Sequence, residues 1–295
     1  MRFSPAFASV FVQAVLHQEF VGPKSDKLLA QPMPRVVALY RYPVKGFTPE
    51  KCEALTVLDE GRIAGDRVLG IRFANSGVPD DAWSEKYKFV ALVNTPALAR
   101  LHLRFDHEAL RLRISFEGAV LVDEALDDKG RKRIPAAIED YVLKLDESPL
   151  SRHPERLPLR VVGDGVTPRY HDNEAGQVTL HSRESLAAVA AAIGDPDLSE
   201  RRFRSNIAVE GLEAWEEQSW VGRSVRIGRV NFAVVRPKVR CLATHANPET
   251  GARDLPILTT LTGAFAQEKP TFAIGMVTSG AGGQIHVGDT ISLIG

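Results

Sequence analysis

The most constraining feature of this sequence is a series of short apolar runs, each cut off by turn-forming residues. They fall at 36–40, 55–58, 68–73, 89–93, 110–116 and 119–122. Runs of that length and spacing predict strands. The pattern returns after Phe203, at 206–209, 224–227, 230–235, 272–277 and 290–293. Val221-Gly222-Arg223-Ser224-Val225-Arg226-Ile227 and Val287-Gly288-Asp289-Thr290-Ile291-Ser292-Leu293 share one form, a glycine turn entering a half-buried strand. Helical patterns are few. Residues 95–103 open on Thr95-Pro96, 136–145 place Ile138, Tyr141, Val142 and Leu145 at helical spacing, and 182–193 run from Ser182 as N-cap to Gly194-Asp195-Pro196. The expected fold is mostly β with a few helices (α+β), built on barrel-like sheets.

A chain of 295 residues suffices for one large domain or two modest ones. The charged, proline-bearing stretch 127–158 is expected to be a connector with a helix. It would separate an N-terminal β-rich barrel domain, 33–126, from a second barrel-like domain, 159–295. Residues 1–32 are expected to be a loosely ordered extension. Their apolar stretch 6–16 contains Ser9 and Gln13 and leads to no small-residue cleavage site, so it makes a poor signal peptide and is too short to span a bilayer.

Composition narrows the function. The 37 basic and 37 acidic residues leave no net field for nucleic acid or an anionic membrane, so any basic site must be local. Two cysteines, Cys52 and Cys241, are too few for a disulfide scaffold or an iron–sulfur cluster, and fit a cytoplasmic protein. Cys52, between Lys51 and Glu53 at the start of a strand, reads as structural.

The sharpest local feature is Arg236-Pro237-Lys238-Val239-Arg240-Cys241, after a strongly β run and before the turn Asn247-Pro248-Glu249-Thr250-Gly251. Three cations beside a thiol favour the thiolate, the form that attacks electrophiles or ligates soft metals. The plain alternative is a small buried hydrophobe. Cys241 and His245, with His171, His181 or His286, would make an incomplete zinc site. A cysteine hydrolase would need His245 as its base, without a recognised nucleophile motif around it. Residues 280–283 are glycine-rich but precede a strand and open no helix, which excludes a dinucleotide fingerprint or P-loop.

Arg240, Cys241, Thr244, Pro248, Thr250 and Gly251 meet every fixed position of a pattern R-C-x-x-T-x-x-x-P-x-T-G, which resembles the signature of MOSC domains, the molybdenum cofactor sulfurase C-terminal family. Tyr42-Pro43-Val44-Lys45-Gly46 with Asp66-Arg67 resembles the β-barrel domain that precedes MOSC in the mitochondrial amidoxime-reducing component and its bacterial relatives. Phe203-Arg204-Ser205-Asn206-Ile207 and Val287-Gly288-Asp289 are similar to further family stretches.

The resemblance implies a molybdenum–molybdopterin cofactor, with Cys241 as metal ligand and catalytic residue. It implies cofactor contacts from Lys45, Gly46, Arg67, Gly176, Arg204, Asn206, Val239 and Arg240, at a site shared between the halves. It further implies reduction of N-hydroxylated small molecules, with electrons from a separate protein: a ferredoxin, a b-type cytochrome or a flavin reductase. Two departures stand out. Gly46 replaces the usual serine, and Ala91-Leu92-Val93-Asn94-Thr95-Pro96-Ala97-Leu98 keeps the proline and leucine of a T-x-R-x-x-P-x-L stretch while losing its threonine and arginine, on the expected substrate side. The other functional class is a carrier of the cofactor, or of sulfur as a persulfide on Cys241. Pyridoxal phosphate enters only as an association of the wider superfamily, because the chain has no domain for it.

Overall fold

Burial follows the pleat where one face of a strand is wet: the strands His102–Asp106 and Arg111–Phe116 bury every second side chain, whereas Val178–Ser182 is buried throughout. The computed structural model describes residues 33–294, and the expected extension 1–32 lies outside the described residues. In chain order the elements are β1 (Arg35–Arg41), β2 (Glu50–Cys52), β3 (Ala54–Val57), β4 (Gly70–Arg72), β5 (His102–Asp106), β6 (Arg111–Phe116), β7 (Ala119–Ala125), α1 (Gly130–Leu143), β8 (Arg160–Val162) and β9 (Val178–Ser182). There follow α2 (Arg183–Ile193), β10 (Ile207–Glu210), β11 (Ser224–Ile227), β12 (Val230–Val239), α3 (Ile257–Ala264), β13 (Thr271–Thr278), β14 (Gly283–His286) and β15 (Ile291–Ile294). The fold is mostly β with a few helices, as the sequence pattern predicts.

An eight-stranded sheet runs β15-β11-β12-β13-β9-β10-β1-β2, antiparallel except for the β9–β10 pair. Its ends approach each other: Val36 N–H donates to Asp289 O and Ile291 N–H to Pro34 O, each at 2.8 Å, which curls the sheet toward a barrel. The strands β11 and β15, which carry the echoed sequence, pair with one another, Val225 opposite Leu293. The halves interleave: β1 and β2 extend the sheet of the second half, β3 pairs β14, and β4 pairs β8.

One apolar core lies inside the large sheet, around Leu39, Leu180, Val225 and Phe232. A second joins the β5-β6-β7 sheet to Val44, Leu69 and the buried face of α1, Ile134, Ile138 and Val142. The helices α2 and α3 cover a third cluster around Phe203 and Phe272. No described helix is long and apolar enough to cross a membrane.

Three local expectations need correction. Residues 89–93 form no strand; beyond one bridge from Phe89 to Arg72, the Asn94 carboxamide accepts from Ala91 N–H (3.0 Å) and donates to Phe89 O (2.8 Å), folding the segment into a turn. Residues 95–103 form no α-helix but a 3₁₀ turn, Pro96–Arg100, followed by the start of β5 at His102; the Thr95 hydroxyl is spent on Asn94 rather than on capping. The helix α1 starts at Gly130, not 136. Asp127 accepts from Gly130 N–H at 2.7 Å, and a Cβ on Gly130 would sit 1.8 Å from Ala125 O, so this glycine lets the helix start against β7. Pro135 is accommodated inside it. For 182–193 the reading holds, with Ser182 accepting from Ser185 N–H as N-cap and Gly194 in the left-handed region at φ +79°.

Candidate functional site

The strand β12 ends at Val239, and Cys241 then begins a 3₁₀ turn, Leu242–His245. Thr244 fixes that turn: its N–H and its hydroxyl both donate to Cys241 O at 3.0 Å. The next turn is held by Asn247, whose side-chain oxygen accepts from Glu249 and Thr250 N–H. Gly251, at φ +69°, lies so near Ala97 that a Cβ would be 2.8 Å from its Cα. Arg253 donates to Val93 O at 2.7 Å. The fixed residues of the signature thus lock the cysteine loop against the first half of the chain.

That half and Arg204 of the second build a cation platform. Tyr42 is fully buried, and its N–H donates to Asp66 Oδ1 at 2.7 Å. The guanidinium carbons of Arg67 and Arg204 lie 4.6 and 4.4 Å from the Tyr42 ring centroid. Both arginines hold left-handed backbones, φ +53° and +55°. Such conformations cost a residue with a Cβ about 1–2 kcal/mol each and persist where the surroundings fix them, commonly at functional sites. Here Arg67 pairs with Asp66, and Arg204 donates to Phe47 O.

These elements enclose a cavity of about 370 Å³. Lys45, Gly46, Arg67, Arg204, Val239, Arg240 and Cys241, all singled out in the sequence, line it together. Lys86, Arg202, Arg236 and Lys238 add charge, Asp172 is the acid of the lining, and Ala91, Leu92 and Val93 form an apolar stretch. Cys241 is half-buried.

The electrostatics are those of a concentrated positive site. Lys45, 3% exposed, donates to Tyr170 O (2.8 Å) and Asp172 Oδ1 (2.9 Å). Burial lowers its pKa, and Asp172 only partly restores it. Burial and neighbouring cations lower Arg204 to about 10, and burial with Arg240 brings Lys238 to about 8. Asp172 moves oppositely: Lys45, Arg67 and Lys86 hold it well below the usual carboxylate range. Basic groups so depressed mark positive charge that the protein leaves incompletely neutralised, as suits an anionic ligand. The buried Arg240 Nε has no hydrogen-bond partner among the described residues.

Two expected residues lie outside the lining. Asn206 is fully buried and ties strands together, accepting from Thr179 N–H and Oγ1 and donating to Tyr40 O. Gly176, at φ +69°, passes so close to Arg62 that a Cβ would meet its side chain at 2.8 Å. Lys86 and Arg202 went unread in the sequence. Lys86 sits in a polar loop with no motif around it, and Arg202 reads as surface charge until its pair with Asp254 is seen. Cys52 lies at the end of β2 and not in the cavity lining. The zinc and hydrolase alternatives find no assembly: among the described residues no three His, Cys, Asp or Glu gather as a metal site, and His245 Nε2 accepts from Leu258 N–H.

A strap of chain, 78–86, delivers Lys86. Arg72, buried and over the Phe89 ring, donates to Val78 O (3.3 Å), Ala82 O (2.9 Å) and Ser84 Oγ (3.1 Å). Trp83 Nε1 donates to His171 O at 2.8 Å, and Tyr170 Oη to Asp80 O at 2.6 Å, which ties the strap to the segment bearing Asp172.

Two family models match the chain. Residues 33–137 match the model of the MOSC N-terminal beta barrel domain, and 167–292 that of the MOSC domain. Mitochondrial amidoxime-reducing component 1 of Danio rerio is 33% identical over 142 residues, 46% of this chain and 42% of the relative, so the match spans less than half of that protein. Among solved structures, the YuaD protein of Bacillus subtilis aligns over 88% of this chain and 94% of its own, with 12% identity and a TM-score of 0.40. YiiM from Geobacillus stearothermophilus aligns over 40% of this chain and 54% of its own, with 16% identity and a TM-score of 0.31.

Proposed function

The chain belongs to the MOSC-domain family, and from that premise we propose that it is a molybdenum-cofactor oxidoreductase acting on N-hydroxylated small molecules, with Cys241 as the protein ligand of the metal. The observation that carries this reading is the convergence of Cys241 with cations from both halves around one cavity.

The residues present fit a molybdopterin. The unpartnered Arg240 Nε is a buried donor lacking an acceptor, and a pterin phosphate or ring oxygen would supply one. Lys45, Arg67, Arg204 and Arg240 would hold the anionic end, with Gly46 and Val239 offering backbone at the lining. Asn206 and Gly176 act indirectly, through Tyr40 with Thr179 and through Arg62. When bound, the cofactor supplies a two-electron redox centre held in part by a soft thiolate.

The overall reaction is R–NHOH + 2e⁻ + 2H⁺ → R–NH₂ + H₂O. Its electrons come from a separate ferredoxin, b-type cytochrome or flavin reductase, since two cysteines supply no iron–sulfur cluster of the chain's own. The chain's residues position and desolvate the substrate beside Cys241, the Thr244 bonds keeping the cysteine loop in one place.

Elemental analysis of wild type and Cys241→Ala tests the proposal. We expect the variant to lose most bound molybdenum with its melting temperature unchanged. Equal molybdenum in both would refute the ligand role. Persulfide on Cys241 in a chain that binds no molybdenum would favour the carrier instead.

A further inference from the structure

Six of the eight cations lining the cavity donate to an oxygen acceptor within the protein, and among the described residues Lys86 and Arg236 do not. Of these two Arg236 is exposed, whereas Lys86 is half-buried and delivered by the strap that Arg72, Trp83 and Tyr170 pin down. Its ammonium is therefore positioned in advance and without an oxygen partner. Its neighbours at the lining are Cys241 and Asp172. It shares the lining with the apolar stretch Ala91, Leu92 and Val93.

We propose that Lys86 is a specificity-determining residue that reads a negative charge on the substrate, so that the cavity takes an N-hydroxylated compound whose apolar body carries a carboxylate or similar oxyanion. The substrate class rests on the oxidoreductase reading above; the anion-reading role of Lys86 does not. The oxyanion accepts from the Lys86 ammonium while the apolar body lies along residues 91–93. A neutral ligand of the same shape gains only the apolar contact. The selection is therefore one between charge states, not between sizes.

Isothermal titration of the purified full chain with benzoate and with its neutral counterpart benzamide tests this without turnover. Lys86→Met should weaken benzoate about tenfold, the loss of one charge-assisted hydrogen bond, and leave benzamide unchanged. Lys86→Arg should restore benzoate binding. The proposal is overturned if Lys86→Met binds benzoate as tightly as wild type, or loses benzoate and benzamide alike. Absence of molybdenum would sink the oxidoreductase reading instead, and leaves this binding result interpretable.

Discussion

Gly46 stands in a turn with no room for a side chain, and its surroundings set the cost of adding one. At φ +79° a side chain is already strained, and a Cβ would lie 2.4 Å from Ala91 Cβ and 2.6 Å from Ala91 Cα. Backbone strain contributes about 1–2 kcal/mol, and forcing atoms into filled space about 1–3 kcal/mol more. Gly46→Ser should therefore cost about 2–5 kcal/mol, a fall in melting temperature of about 4–9 °C for a body of this size. Calorimetry and urea unfolding would both report it. Adding Ala91→Gly removes the contact at 2.4 Å but leaves the Cα at 2.6 Å, so the double variant should recover less than half of the loss. If Gly46→Ser melts within ~2 °C of wild type, the backbone at this turn yields readily and the argument from close approach is wrong.

Two further outcomes follow from buried polar groups. Asp66 is 1% exposed and titrates at about 2 rather than its ordinary 3.8; burial opposes this shift, but Arg67, His171 and Tyr42 N–H overcome it. Its folded value lies below its unfolded one, so it contributes about 2 kcal/mol above pH 4 that is lost as pH falls toward 2. The stability gap between wild type and Asp66→Asn should shrink over that window in urea titrations, and a gap that stays flat or widens on acidification would contradict the assignment. Arg72→Met strands the carbonyls of Val78 and Ala82 at about 1–3 kcal/mol each, so amide exchange across 78–84 should accelerate; unchanged exchange there would show that Arg72 does not hold the strap.

Strands such as β6 and β11 were legible as short apolar runs cut off by turn residues, whereas β5 went unread because its first residues were taken as the end of a helix over 95–103. What escaped were elements whose identity is decided by distant partners. The strand β2 is three residues long and exists through pairing with β1, and β8 through pairing with β4. Residues 89–93 have the composition of a strand, yet the Asn94 side chain satisfies their backbone locally. The same division holds at the site. Cys241, Lys45, Arg67 and Arg204 sit in motifs with a local signature, whereas Lys86 reaches the cavity through a fold of the strap that depends on Arg72, fourteen positions earlier in the numbering and unremarkable in sequence. Tyr42 was read as part of a motif, but its service as a surface for two guanidiniums needs Arg204, from far along the chain.

The pairing of β3 with β14, Ala54 opposite His286, has a consequence for biosynthesis. A ribosome makes these partners hundreds of codons apart in order, and the early strands β1, β2 and β3 must wait with open edges until the late ones emerge. The nascent polypeptide is thus expected to need shielding for most of its translation, until residues 283–286 have left the exit tunnel and can pair with β3.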